Sequence, residues 1–263
     1  MRIRRLAPLA LLAVLALAGC SAAGAAAPSA SPTASADALS GKVTVLAAAS
    51  LTETFDSLGR RFEKLHPHVT VSTTYGGSGA LAQQILQGAP VDVFASAADA
   101  PMTTVTRAGL ASHPTEFATN VLELVVPKGN PGGVRTLSDL SKPGLKVVLC
   151  DATVPCGSAA QTLLQKTGVK VTPVSLEQDV KQVLAKVELD EADAGLVYVT
   201  DARSADGRVT SIAVPEAKAV VNDYPIVVLK NAPNSAAAKA FAAYVLGPVG
   251  TKVLKDAGFG AAP

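Results

Sequence analysis

Residues 41–56, GKVTVLAAASLTETFD, restrict this chain more than any other stretch. Residues 42–48 alternate and then run apolar, with β-branched Val43, Thr44 and Val45, and so read as a buried strand. Ser50 and Glu53 follow in S-x-x-E spacing, which predicts a capping box. The Ser50 hydroxyl would accept from the Glu53 amide while the Glu53 carboxylate reaches back. A strand that ends in small residues and turns straight into a helix leaves unpaired N–H groups pointing outward. Those donors, together with the helix macrodipole, favour negative charge.

The same grammar repeats. Phe55, Leu58, Phe62 and Leu65 share one face of a helix over residues 52–65, Pro67 ends it, and residues 69–75 alternate as a second strand. Gly76-Gly77-Ser78-Gly79 turns the chain into a helix over 80–87, followed by a strand over 91–94 and a helix over 98–107. This β-α-β-α-β-α order predicts an open, mostly parallel sheet. Residues 119–127 form an apolar run that is long for one strand here, and PKGNPGG breaks it. Beyond it the pattern restarts: a strand over 145–150, a helix over 157–166, extended chain over 169–174 and a helix over 177–187. Strands over 195–198, 210–214 and 224–230 and helices over 235–246 and 249–257 complete it. A restart after a Gly/Pro break suggests two lobes and a cleft.

The N-terminus has a different character. MRIRR is basic, residues 6–18 are apolar but short for a membrane span, and Leu17-Ala18-Gly19-Cys20 has the form of a lipobox. Residues 1–19 therefore predict a lipoprotein signal peptide, with Cys20 the lipidated first residue of the mature chain; an ordinary secretory signal cut elsewhere is the alternative. Residues 20–40 are almost wholly Ala, Ser, Pro, Thr and Gly with the one charge of Asp37, the composition of a disordered tether. Loss of Arg2, Arg4 and Arg5 turns a formal net charge of +2 into −1, so no basic patch for nucleic acid remains. Cys150 and Cys156, in an oxidising compartment, are most simply a disulfide, with free thiols the alternative. No histidine stands near them at ligand spacing, which argues against a metal site.

Three chemistries compete for the glycine-rich turn. Gly76-Gly77-Ser78-Gly79-Ala80 is close to a nucleophile elbow, but the last glycine is missing. Only His113 of the three histidines follows Ser78, with too little chain between them for the usual hydrolase order. No Walker lysine follows any glycine-rich loop, so nucleotide hydrolysis is unsupported. A plain tight turn remains open, as does an anion site. The latter gains from its partner at Ser50, since ligands sit at the carboxyl ends of strands in open α/β sheets. Val154-Pro155-Cys156-Gly157 is a third helix start, residues 177–180 a fourth, and Tyr198 closes a strand with a hydroxyl donor. His66-Pro67-His68 reads as an exposed helix end rather than a metal pair.

Taken in order, several motifs resemble the extracytoplasmic molybdate-binding proteins of ABC importers. They are Ala47-Ala48-Ala49-Ser50-Leu51, residues 76–85 (GGSGALAQQI), residues 91–97 (VDVFASA), Val154-Pro155-Cys156-Gly157, residues 192–198 (ADAGLVY), Thr200-Asp201-Ala202 and Gly258-Phe259. The resemblance implies a two-lobed α/β fold, the type II periplasmic-binding-protein fold, each lobe a mostly parallel sheet flanked by helices. Lobe one would be residues 41–121 plus 224–263 and lobe two residues 122–223, with the ligand in the cleft between them. It also implies the oxyanion donors: the hydroxyl and amide of Ser50 and of Ser78, the amides of Cys156 and Val180, and the hydroxyl of Tyr198. Cys156 stands where that loop more usually has alanine, a change that leaves a backbone donor in place.

None of these donors is Lys or Arg. Dipoles hold a buried dianion without burying a counter-charge, whose desolvation costs several kcal/mol. Molybdate, tungstate and sulfate need only donors near neutral pH, whereas phosphate carries a proton that a donor-only cage leaves unpaired. The expectation is therefore a monomeric binding protein, not an enzyme, that needs no cofactor and takes molybdate or tungstate. It would serve an ABC importer permease and touch the outer face of the cell membrane only through the lipid on Cys20. Another tetrahedral oxyanion, sulfate above all, is the alternative ligand.

Overall fold

The computed structural model describes residues 39–263. The expected signal peptide, the lipidation site Cys20 and the tether up to residue 38 lie outside the described residues. The last two residues assigned to the tether are part of the body. Leu39 packs on the first core, and the Ser40 carbonyl accepts from Asn234 Nδ2 at 2.8 Å.

The chain begins with β1 (Gly41–Ala48), α1 (Thr52–Leu65), β2 (Val69–Gly76), α2 (Ser78–Leu86), β3 (Val93–Ala95), α3 (Asp99–Arg107) and β4 (Thr115–Asn120). A second run follows: β5 (Leu122–Pro127), β6 (Val147–Cys150), α4 (Pro155–Thr167), β7 (Ser175–Glu177), α5 (Val180–Glu188), β8 (Ala194–Tyr198), α6 (Val199–Ser204) and β9 (Val209–Ile212). The chain ends with β10 (Asn222–Val228), α7 (Ser235–Leu246) and α8 (Pro248–Ala257). Two five-stranded sheets result, in the orders β2-β1-β3-β10-β4 and β7-β6-β8-β5-β9.

Each sheet is mixed, with four of its five strands running the same way, as expected, and one strand opposed. β1, β2 and β3 pair in parallel, as do β6, β7 and β8, but β10 and β5 run against their neighbours. The reason is the double crossing. The chain leaves the first sheet along β4, passes through Val121 alone, and enters the second along β5; β10 returns beside β4 in the opposite direction. The apolar run over 119–127 is thus two strands in two sheets. The return falls earlier than expected, because Asn222 and Asp223 already pair with Asn120 and Thr119 of β4.

α1 buries Phe55, Leu58 and Phe62, whereas Leu65 is 61% exposed. At 100° per residue, position i+10 has drifted to the edge of the stripe at the helix's last turn. Residues 169–174 form no strand; β7 starts at Ser175. α5 starts at Val180 instead of Glu177, because Asp179 is its N-cap and accepts from the amides of Lys181 and Gln182.

Candidate functional site

The carboxyl ends of β1, β2 and β8 and the starts of α2, α4 and α5 converge on one small cavity between the sheets. Seven lining residues come from the half built on the first sheet: Ala48, Ala49, Ser50, Gly76, Gly77, Ser78 and Ala97. Six come from the half built on the second: Val154, Pro155, Cys156, Asp179, Val180 and Tyr198. All five residues expected to supply donors therefore face the same space. Its volume, about 20 Å³ for the centre of a water-sized sphere, suits one small ion and not a metabolite.

Three hydroxyls line it, each buried. Ser50 is not the helix cap that its spacing predicted. A 3₁₀ turn over Ala49–Leu51 puts the N-cap at Ala48, two residues earlier, so Ser50 lies inside the turn with Oγ 2.9 Å from Tyr224 Oη. Glu53 is then free to point across the cleft. Ser78 opens α2, and its Oγ accepts from the Ala97 amide at 3.1 Å. The Tyr198 hydroxyl has no hydrogen-bond partner, although Tyr224 and Asn222 lie beside it. Burial first, then its neighbours Tyr224 and Asp201, hold its pKa far above the usual phenol range, so it stays a proton donor.

The remaining donors are main chain. None of the amides of Ser50, Ser78, Cys156 and Val180 donates to another group among the described residues. The Cys156 amide is presented by a closed loop: Val154 N–H bonds the Asp151 carbonyl at 3.1 Å, and a Cys150–Cys156 disulfide spans the same residues. A Cβ on Gly157 would lie 1.8 Å from the Asp151 oxygen, so only glycine fits there. In α5, Asp179 takes the second and third free amides and leaves that of Val180 unpaired. Its carboxylate also accepts from Gln182 Nε2 at 2.8 Å, so the one acid in the lining is engaged elsewhere.

No Lys, Arg or His lines the cavity. Among the described residues the hydrogen bond of Ser78 Oγ is to the Ala97 amide and not to a histidine or carboxylate. The cations stand one shell out. Lys181 Nζ lies 2.7 Å from Glu53 Oε1 across the cleft, 2.9 Å from Ser204 Oγ and 3.3 Å from Asp201 Oδ1. Asp201 is wholly buried and accepts from the Tyr198 amide; desolvation outweighs Lys181 and pushes its pKa up to about 6. The two halves also touch at Gly77, where a Cβ would come within 2.3 Å of the Gln178 carbonyl.

Sequence reasoning missed Tyr224, Asn120, Asn222, the Asp179 cap and the Lys181 bridge. Ser50 and Tyr224 are 174 positions apart, and no spacing rule joins them. The Asp179 cap was accessible, since an Asp just before an apolar periodic run is a helix-start signal.

Residues 43–260 match the family model of bacterial extracellular solute-binding proteins. The molybdate-binding protein ModA of Mycobacterium tuberculosis is 47% identical over 218 residues, covering 82% of this chain and 84% of its own. The molybdate-binding protein ModA of Escherichia coli is 34% identical, covering 83% and 89%. Among solved structures, the periplasmic molybdate-binding protein of Azotobacter vinelandii superposes with a TM-score of 0.72 at 23% identity, over 82% of this chain and 98% of its own. The sulfate-binding protein SubI of Mycobacterium tuberculosis reaches the same TM-score at 19% identity, over 83% and 86%. A two-sheet α/β body with a donor-lined cleft, matched along nearly all its described length, belongs to the bacterial extracellular solute-binding protein family, alongside the molybdate-binding proteins ModA.

Proposed function

We propose that this protein binds molybdate, and tungstate with it, outside the cytoplasm and delivers the ion to the permease of an ABC importer. The observation that carries the reading is a cavity of ion size, lined by Ser50, Ser78, Cys156, Val180 and Tyr198, with unpaired donors and no cation. Charge-assisted bonds from amides and hydroxyls contribute about 1.5–3 kcal/mol each, so a few of them offset the desolvation of a dianion. The function is capture, not catalysis, and it needs no cofactor. The protein acts as a monomer, held at the outer face of the cell membrane by lipid on Cys20. The relatives' name supports the ligand, and the double crossing at Val121 and before Asn222 supports a hinge about which two lobes, residues 41–121 plus 222–263 and residues 122–221, close on the ion.

The test is a thermal-melt series on protein stripped of bound ion by unfolding and refolding. Molybdate, tungstate, sulfate and phosphate are added separately at equal concentration. A ligand selective for the folded state stabilises it by about 2.7 kcal/mol at a hundredfold excess over its dissociation constant. A shift with molybdate and tungstate alone is expected. A larger shift with sulfate would replace the ligand, and no shift with any oxyanion would end the reading.

A further inference from the structure

The two serine hydroxyls share an arrangement that the list of donors does not explain. Ser78 Oγ already accepts an N–H from Ala97 of its own half, so its one proton is left for the cavity. Ser50 Oγ has one hydrogen-bond partner among the described residues, the Tyr224 hydroxyl at 2.9 Å. Either oxygen could donate, and the surroundings decide which does. Tyr224 is fully buried, so its proton needs an acceptor, and Ser50 Oγ is the one oxygen within hydrogen-bonding distance among the described residues. The Asn120 side chain beside it offers only N–H groups, because its oxygen accepts from the Val121 amide at 3.0 Å and its nitrogen donates to Thr200. The Tyr198 hydroxyl lies beside Tyr224 but makes no hydrogen bond of acceptable geometry with it. Tyr224 must then donate to Ser50, and the Ser50 proton turns into the cavity.

We infer that Tyr224, which does not line the cavity, is a positioning residue: by donating to Ser50 Oγ it makes that hydroxyl an obligate donor and so helps exclude oxyanions that carry a proton. This deepens the molybdate reading and rests on it. A serine rotor is by itself ambivalent, donor or acceptor as the ligand requires. Left free, it would accept the proton of hydrogen phosphate. Held by Tyr224, it has one of its two lone pairs already engaged and its own proton has no acceptor left but the ligand, so it meets the proton of hydrogen phosphate with a second proton, and the misfit penalises phosphate.

The experiment titrates the wild-type chain, Tyr224→Phe, Ser50→Ala and the double variant with molybdate and with inorganic phosphate by calorimetry at neutral pH. Tyr224→Phe keeps the ring among Phe117, Tyr198 and Phe259. It should weaken molybdate about three- to tenfold while phosphate gains, narrowing the ratio of affinities by about tenfold or more. Ser50→Ala should weaken molybdate without admitting phosphate, and adding Tyr224→Phe to it should leave the ratio unchanged. A purely structural Tyr224 would weaken both ions in proportion, and that outcome overturns the inference, as does an equal narrowing in the Ser50→Ala background. Should Tyr224→Phe not fold, 3-fluorotyrosine at position 224, a stronger donor of nearly the same shape, should tighten molybdate and not phosphate; no change, or a parallel change, overturns the inference. If the wild-type chain binds neither molybdate nor tungstate, the functional reading itself falls. Wild-type binding with an unmoved ratio in Tyr224→Phe removes the role of Tyr224 alone.

Discussion

All six phenylalanines and three of the four tyrosines lie in the half built on the first sheet, whereas Tyr198 belongs to the half built on the second. The first core is built from rings in edge-to-face contact, such as Phe62 with Phe241 and Tyr224 with Phe259, both at 5.3 Å between centroids. The second is aliphatic, with valines and leucines around β5, β6 and β8, and is cross-linked at its cleft edge by Cys150–Cys156. The donors divide along the same line. The serine hydroxyls of the first half are each held by a donor of that same half. The first half thus combines serine hydroxyls with the free amides of the same residues, whereas the second relies on helix-start amides and the Tyr198 phenol. Substitutions should act differently on the two halves.

The largest effect is expected where the halves touch. Gly77→Ala places a Cβ against the Gln178 carbonyl, a backbone atom that cannot swing aside. Molybdate affinity should fall about a hundredfold. Gly79→Ala, whose Cβ would sit 3.6 Å from the Thr153 carbonyl, is the control that should bind normally. Equal binding by both would mean that closure does not depend on this contact.

Next comes the contrast between side chain and main chain. Ser78→Ala should cost about 1.5–3 kcal/mol, a ten- to hundredfold loss of affinity by calorimetry. Val180→Ala should change little, because its amide survives. Val180→Pro should match the serine loss, since proline is tolerated at the first position of a helix but has no N–H. A large loss in Val180→Ala would show that the second half is read through side chains after all.

The disulfide should matter less for affinity than for stability. Replacing Cys150 and Cys156 together with alanine keeps the Cys156 amide but opens the loop that holds it. Chain-entropy arithmetic for so short a loop gives about 2 kcal/mol, read as a lower denaturant midpoint. An unchanged midpoint would leave the hydrogen-bonded Asp151 turn as sufficient support.

The smallest effect is the pH response of the bridge behind the site. Asp201 has a folded-state pKa raised to about 6, chiefly by desolvation. The folded state therefore holds its proton more tightly than the unfolded chain does. Its contribution to stability is least above about 6 and grows as pH falls from there toward the ordinary Asp value. Asp201→Asn should flatten the melting-temperature profile across that window, and a profile parallel to wild type would show that Asp201 is not the titrating group.

Local order told much of this in advance. The β-α alternation, Ser50 and Ser78 at strand-to-helix turns and the helix start after Val154 are short-range patterns, and short-range rules read them. The boundaries that failed were those that distant contacts set. β7 forms at Ser175–Glu177 because β6 is there to pair with, and Ser50 leaves its capping position because a 3₁₀ turn takes it toward Tyr224.

The sequence by itself determined an α/β chain with helix starts at the carboxyl ends of its strands, because hydrophobic period, glycines and capping residues act over a few positions. Only the tertiary structure decided that Ser50, Ser78, Cys156, Val180 and Tyr198 line one cavity, and that Ser50 meets Tyr224. Those facts depend on two crossing strands bringing residue 50 to residue 224 and residue 77 to residue 178. No local pattern encodes a contact between groups that distant in the chain.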